Sequence, residues 1–289
     1  MVAKYSKIIS GTMTWGAWGK QFSTSEMEAM IQHCISTGIT TFDHADIYGG
    51  YTTEAEFGKA LTASQIKRDD IQLISKMGIQ YMAESRKNKV KHYDYSKDYI
   101  IWSVEESLKN LQTEYLDLLL LHRPSPLMHP DEIAEAISLL KQHGKIKDFG
   151  VSNFTPSQME LIGLRIDIDF NQIEFSLTAH EAMLNGTLDF MLTNGIQPMA
   201  WSPLGSVFKE DTEQTRRIHK QLGKLMEKYN ATEDQLLLAW LLKHPSGIIP
   251  VVGTTNKTRL QQAMNATKIN LELEDWFLIL VAAQGHKVP

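Results

Sequence analysis

Four side chains in this sequence have the types needed to protonate a carbonyl oxygen: Asp43, Tyr48, Lys76 and His122. A phenol is a weak acid, with a free pKa of about 10, and an adjacent ammonium stabilises its phenolate and lowers that value. Lys76 is the candidate ammonium, Asp43 its ion-pair partner, and His122 the group that orients a carbonyl oxygen. With hydride from another source, such a set protonates a developing alkoxide. Each residue also has a plainer reading. Asp43 and Lys76 could be a rim ion pair, Tyr48 a packing tyrosine and His122 a satisfied core histidine. Only their joint placement decides for chemistry.

Placement depends on the elements that carry them. The stretch 40–50 runs from apolar residues into Asp43, then Tyr48 and two glycines, and Thr53 with Glu56 has capping-box spacing, predicting a helix start near Thr53. Strands are expected at Lys7–Ser10, 40–43, Gln72–Ser75 (delivering Lys76), Leu116–Leu121 (delivering His122), Asp148–Val151 (delivering Ser152 and Asn153), Asn171–Glu174, Gln197–Ala200 and Ile248–Val252. Between them, helical periodicity and caps place helices after Ser23, from Thr53 to about Leu61, after Ser96, at Pro130–Gln142, after Thr155, across Gly186–Asn194, at Glu213–Tyr229, Thr232–Lys243, around Arg259 and at Glu274–Gln284. Residues 77–95 show no period and read as a long loop. Strands alternating with helices over the whole of 1–289, without a linker, predict a single-domain (β/α)8 TIM barrel. An open doubly wound sheet is the alternative, but its usual G-x-G-x-x-G fingerprint is absent. In a barrel the residues just past each strand converge on one mouth.

The totals narrow the function classes. Acids and bases are interspersed at a net charge of −5, which gives no reason to expect nucleic acid or an anionic membrane as partner. The basic run Arg86, Lys87, Lys89 and Lys91 reads as a solvated loop. The one cysteine, Cys34, excludes an intrachain disulfide and a cysteine-rich zinc site. No apolar h-region follows the N-terminal lysine and no run reaches about 18 apolar residues, so a cytoplasmic protein is expected. A metal site using His44 and Asp46 would lack converging ligands, and a Schiff base at Lys76 would need an uncharged amine that Asp43 opposes. No metal is expected.

At this point the residues resemble a known family. Asp43, Tyr48, Lys76 and His122 match, in order and strand position, the catalytic tetrad of the aldo-keto reductase superfamily. The segments Phe42–Gly49 (FDHADIYG), Leu118–Pro124 (LLLLHRP), Gly150–Phe154 (GVSNF), Asn171–Glu174 (NQIE) and Ala200–Gly205 (AWSPLG) match as well, and residues 122–128 most resemble bacterial predicted oxidoreductases of that family. The resemblance implies reduction of small aldehydes or ketones with NADP(H), Tyr48 giving the proton. It implies that Ser152, Asn153 and Gln172 hold the nicotinamide carboxamide and Trp201 stacks on the ring. Gly11, Thr12, Met13, Asp43, Ser202, Pro203 and Leu204 should flank the rest of the cofactor, with Gly253, Thr254, Thr255 and Arg259 at the 2′-phosphate and Gln262 near the adenine. Trp15, Tyr48, His122 and Arg123 are expected to line the substrate pocket. Gly253 stands where many members carry lysine and Ala263 where many carry asparagine, so NADPH selectivity should be less strict. The hairpin below the first strand is expected to be shortened, and a short segment after the last helix implies an open pocket. A cofactor-sensing subunit with little turnover is the rival role, against which the intact tetrad argues. A monomer or weakly associating homo-oligomer is expected.

Overall fold

The computed structural model describes residues 4–289; Met1–Ala3, part of the N-terminus read above as lacking a secretion signal, lie outside the described residues. The strands are β1 (Ile9–Gly11), β2 (Thr41–Asp43), β3 (Gln72–Met77), β4 (Ile79–Gln80), β5 (His92–Tyr93), β6 (Leu116–Leu121), β7 (Ile146–Ser152), β8 (Phe170–Glu174), β9 (Gln197–Trp201) and β10 (Ile249–Val252). The helices are α1 (Thr24–Ser36), α2 (Thr53–Ser64), α3 (Lys97–Leu111), α4 (Pro130–Gln142), α5 (Pro156–Gly163), α6 (Thr187–Thr193), α7 (Glu213–Tyr229), α8 (Glu233–Leu242), α9 (Lys257–Ala266) and α10 (Leu273–Gln284). Eight parallel strands close in the order β1-β10-β9-β8-β7-β6-β3-β2, the (β/α)8 barrel expected from the alternation.

Strand side chains alternate between two apolar layers. Ile9, Ile74, Leu118, Leu120, Phe170, Met199 and Val251 pack together inside the barrel, while Leu73, Leu119, Leu121, Phe149, Ile173 and Ala200 belong to the larger core under the helices. Both layers are apolar, so β6 reads as a hydrophobic run broken by a single acid, Asp117, which accepts from Arg68 and from the Leu73 amide. Tyr5 joins the interior cluster from below, edge-on to Phe170 at 5.0 Å, and its hydroxyl donates to Asp148 Oδ2 at 2.6 Å. Tyr5 thus stands at the barrel floor. Cys34 is buried on α1, and burial pushes its thiol up to about 11.

Three expectations are corrected here. Residues 77–95 are not a plain loop, because β4 and β5 pair antiparallel, Ile79 opposite Tyr93, and form a hairpin at the barrel mouth. Of the basic run, Lys87, Lys89 and Lys91 are exposed as expected, but Arg86 is half-buried, its guanidinium 4.3 Å from the Tyr51 ring centre and 4.6 Å from that of Trp102. The Thr53–Glu56 capping box does not form. Thr52 occupies the cap of α2, since a 3-10 turn at Tyr48–Gly50 leads into the helix one residue earlier, and Thr53 is buried. By contrast the boxes at Ser23–Glu26 and Thr155–Gln158 are present. No helix among the described residues is long and apolar enough to cross a membrane.

Candidate active site

Alternation inside the strands builds the site. Two residues above Ile74, Leu120, Phe170 and Met199 come Lys76, His122, Gln172 and Trp201, so the apolar interior layer is capped by a polar one. Lys76 is 1% exposed, and all three hydrogens of its ammonium are used. Nζ donates to Asp43 Oδ2 at 2.7 Å, to the His44 carbonyl at 2.8 Å and to the Tyr48 hydroxyl oxygen at 3.0 Å. The second Asp43 oxygen accepts from Gln172 Nε2 at 2.9 Å. Tyr48 therefore receives a hydrogen bond from Lys76 and keeps its own hydrogen free for another acceptor.

Charges in this cluster follow from burial and partners. Burial opposes the charge on Lys76, but Asp43 and Tyr48 outweigh it and hold the ammonium above its ordinary value. Lys76 stays charged, which is incompatible with a Schiff-base role. For Tyr48, burial raises the phenol and Lys76 lowers it, with the balance above the ordinary value. The lowering expected from the ammonium is present but outweighed by desolvation, so Tyr48 rests as the neutral acid. His122 is 8% exposed, edge-on to Tyr48 with ring centres 6.2 Å apart. Burial, with the charges of Lys76, Arg123 and Lys91, keeps its imidazole well below the ordinary value and hence neutral. Its Nδ1 is buried without a partner, leaving Nε2 as the nitrogen able to meet a ligand.

The remaining expected residues divide around the rim. A hydrogen-bond chain runs from Trp201 Nε1 to Asn153 Oδ1 (3.0 Å), from Asn153 Nδ2 to Ser152 Oγ (2.9 Å), and from Ser152 Oγ to the Gln172 carbonyl (2.9 Å). Asn153 (φ 59°) and Ser202 (φ 50°) adopt left-handed backbone just past their strands. Ser202, Leu204, Thr254 and Thr255 are half-buried, Pro203 is buried, and Gly253 and Arg259 are exposed. Thr254–Asn256 leads into α9, capped by Asn256, with Arg259 in its first turn and no acid there. Gln262 is half-buried, its carbonyl accepting from Gln235. Gly11 is buried, and Met13 is 47% exposed. Thr12 is turned inward: its hydroxyl donates to the Asp43 carbonyl and meets His44 Nδ1, each at 2.9 Å. The residues expected around the cofactor, Asp43 apart, thus come from five strands consecutive in the barrel, β1, β10, β9, β8 and β7. Asp43, Lys76 and His122 come from the other three.

Trp15 is a correction. It is fully buried among Phe22, Phe42 and Phe57, with ring centres 6.0–6.2 Å away, and so packs the core instead of lining a pocket. Trp18, 39% exposed, stands at the mouth instead, 6.2 Å from Tyr48 and 5.4 Å from Tyr81 of the hairpin. Arg123 is half-buried with its guanidinium over the Trp201 ring. Among the described residues no group of three or more His, Cys, Asp or Glu side chains is arranged to hold a metal ion.

A closed barrel whose mouth carries a charged lysine, a neutral tyrosine with a free hydrogen and a neutral histidine belongs to the class of oxidoreductases acting on carbonyl groups. Residues 7–280 match the Aldo/keto reductase family, and the chain belongs to that family. It is 44% identical to the uncharacterized oxidoreductase YcsN of Bacillus subtilis, over 99% of this chain and 97% of that one. It is 38% identical to a 6-dehydroglucose reductase of Agrobacterium fabrum, over 99% of both. Among solved structures it resembles a thermostable aldo-keto reductase, Tm1743, in complex with the inhibitor epalrestat (TM-score 0.82, 27% identity, 96% of this chain and 94% of that one).

Proposed function

We propose that this enzyme reduces aldehydes or ketones to alcohols, with NADPH as hydride donor and Tyr48 as proton donor. The observation that carries this reading is the bonding of Lys76: it donates to the Tyr48 oxygen and leaves the phenolic hydrogen uncommitted. The cofactor supplies hydride to the carbonyl carbon. Tyr48 donates its proton to the carbonyl oxygen, and the phenolate that results is stabilised by the Lys76 ammonium 3.0 Å away. His122, being neutral, gives the same oxygen a hydrogen bond from Nε2 and so sets its position. Asp43, held by both Lys76 and Gln172, keeps the ammonium in place.

The mouth suits a nicotinamide dinucleotide. Trp201 is half-exposed with its ring edge fixed by Asn153, a flat surface for stacking, and Gln172 Oε1 has no partner among the described residues. Arg259, exposed and without an ion pair among the described residues, sits beside Thr254 and Thr255 at a helix start, a setting for a phosphate dianion. The similarity to a 6-dehydroglucose reductase makes sugar dialdehydes a reasonable part of any substrate panel. The decisive variant is Tyr48→Phe. It should lose at least about 10²-fold in kcat, the scale of one positioned general acid, while binding NADPH as tightly as the parent in a fluorescence titration. Undiminished turnover would remove Tyr48 as the proton donor.

A further inference from the structure

The reacting tyrosine and histidine share the mouth with a cation, Arg123, that no carboxylate among the described residues neutralises. Arg123 follows His122 directly, and its backbone is fixed by the buried Tyr95, whose hydroxyl donates to the Arg123 carbonyl at 2.5 Å and accepts from the Arg123 amide at 3.2 Å. The hairpin in turn is shaped around Tyr95. At Gly78 (φ 109°) a Cβ would fall 2.0 Å from the Tyr95 ring, so only glycine fits. The guanidinium then lies 5.4 Å from the Trp201 ring centre. Among the described residues neither Arg123 nor Lys91 stands within ion-pair distance of a carboxylate. Lys91, exposed, immediately precedes β5 of the hairpin at the mouth, and its charge joins that of Arg123 in disfavouring protonation of His122.

A guanidinium offers a planar, bidentate match to a carboxylate or phosphate. One held at the backbone, laid on an indole face and left without a counter-ion is poised for an anion that arrives from outside. From this geometry we infer that the preferred substrates are carbonyl compounds carrying an anionic group, a carboxylate or phosphate, which Arg123 binds while Tyr48 and His122 hold the carbonyl oxygen. The inference rests on the reductase reading and adds the substrate class to it. Lys91 contributes long-range attraction, and Arg123 the directed hydrogen bonds.

The test is a matched pair, 4-carboxybenzaldehyde against benzaldehyde, assayed with NADPH on the parent, Arg123→Met and Arg123→Lys. A charge-assisted contact predicts that the parent favours the carboxylate about ten- to hundredfold in kcat/KM, chiefly through KM. The ratio should collapse to near one in Arg123→Met and recover in part in Arg123→Lys. A parent ratio near one, or a ratio that survives Arg123→Met, overturns the inference. Calorimetric binding of 4-carboxybenzyl alcohol against benzyl alcohol reads the same contrast without turnover. If neither aldehyde oxidises NADPH, the reductase reading falls, while the anion site still stands or falls on whether the binding contrast disappears in Arg123→Met.

Discussion

Lys76 decides what the neighbouring residues can do. An ammonium buried to 1% exposure persists only because three oxygens accept from it, and one of them is the phenol proposed as proton donor. Arg259 has the opposite setting: exposed, unpaired among the described residues, and two residues into a helix without first-turn acids. If it binds the 2′-phosphate, Arg259→Ala should weaken NADPH about tenfold or more, the value of a charge-assisted contact, and leave NADH nearly unchanged. Equal weakening of both, read by fluorescence titration, would take the 2′-phosphate away from Arg259. The four residues proposed for the chemistry were legible in the sequence because each lies at the end of a recognisable strand or in the loop that follows it. Trp15 and Trp18 were not separable, since they lie in an irregular segment where neither helical nor strand period says which ring turns inward. The structure buries the first against Phe42 and Phe57 and stands the second beside Tyr48. The pull of burial on Tyr48 was equally invisible, because desolvation depends on what packs around the ring.

At the scale of elements, the barrel strands were readable and the β4–β5 hairpin was not. Long apolar runs such as Leu116–Leu121 announce a strand buried on both faces. Two-residue strands carry no alternation to detect, and what holds this hairpin is not a pattern but particular contacts. Ile79 packs on Ala45, Ile47 and Tyr48, the Tyr51 hydroxyl accepts from the Tyr81 amide at 2.8 Å, and Arg86 is clasped by Tyr51 and Trp102. Cation–π contacts at partly exposed sites are worth about 0.5–1 kcal/mol each. Arg86→Ala should therefore let the hairpin open more often, raising amide exchange at residues 79–93 by about three- to thirtyfold while the amides of β3 keep their protection. Because Tyr81 and Ile79 border the mouth, KM should rise too. Unchanged exchange in the hairpin would mean that Arg86 is held without holding anything in return.

For the whole molecule, the consequence of this design is a set of buried ionisable groups that makes stability depend on pH. His44 is fully buried beneath the site, edge-on to Phe57 with ring centres 4.3 Å apart, its Nδ1 against the Thr12 hydroxyl and its Nε2 without a partner. Burial first, and then the Lys76 charge, depress its pKa to about 3. In the unfolded chain the same imidazole titrates near 6.5. Above that pH both states are neutral and His44 adds no pH dependence. As pH falls below about 6.5 the unfolded chain takes a proton that the folded chain refuses, so stability declines until the folded value is reached. His122 acts in the same direction. Asp46 acts oppositely: burial raises its carboxyl well above the ordinary range, so its contribution is greatest in acid and is lost as pH rises through the folded value. A single-protein pH curve mixes these with other buried groups such as Glu54, whose carboxyl burial also raises, and the comparison that isolates His44 is a difference between two proteins. His44→Asn keeps the backbone carbonyl that accepts from Lys76 but loses ring packing, so it should be less stable than the parent at pH 7. Between pH 7 and pH 5 the gap should narrow by about 2 kcal/mol, roughly 1.5 pKa units at about 1.36 kcal/mol each. Urea midpoints measured for both proteins at the two pH values give that narrowing directly; a gap that stays constant would mean that His44 takes up its proton in the folded barrel as readily as in the unfolded chain, so that burial does not depress it.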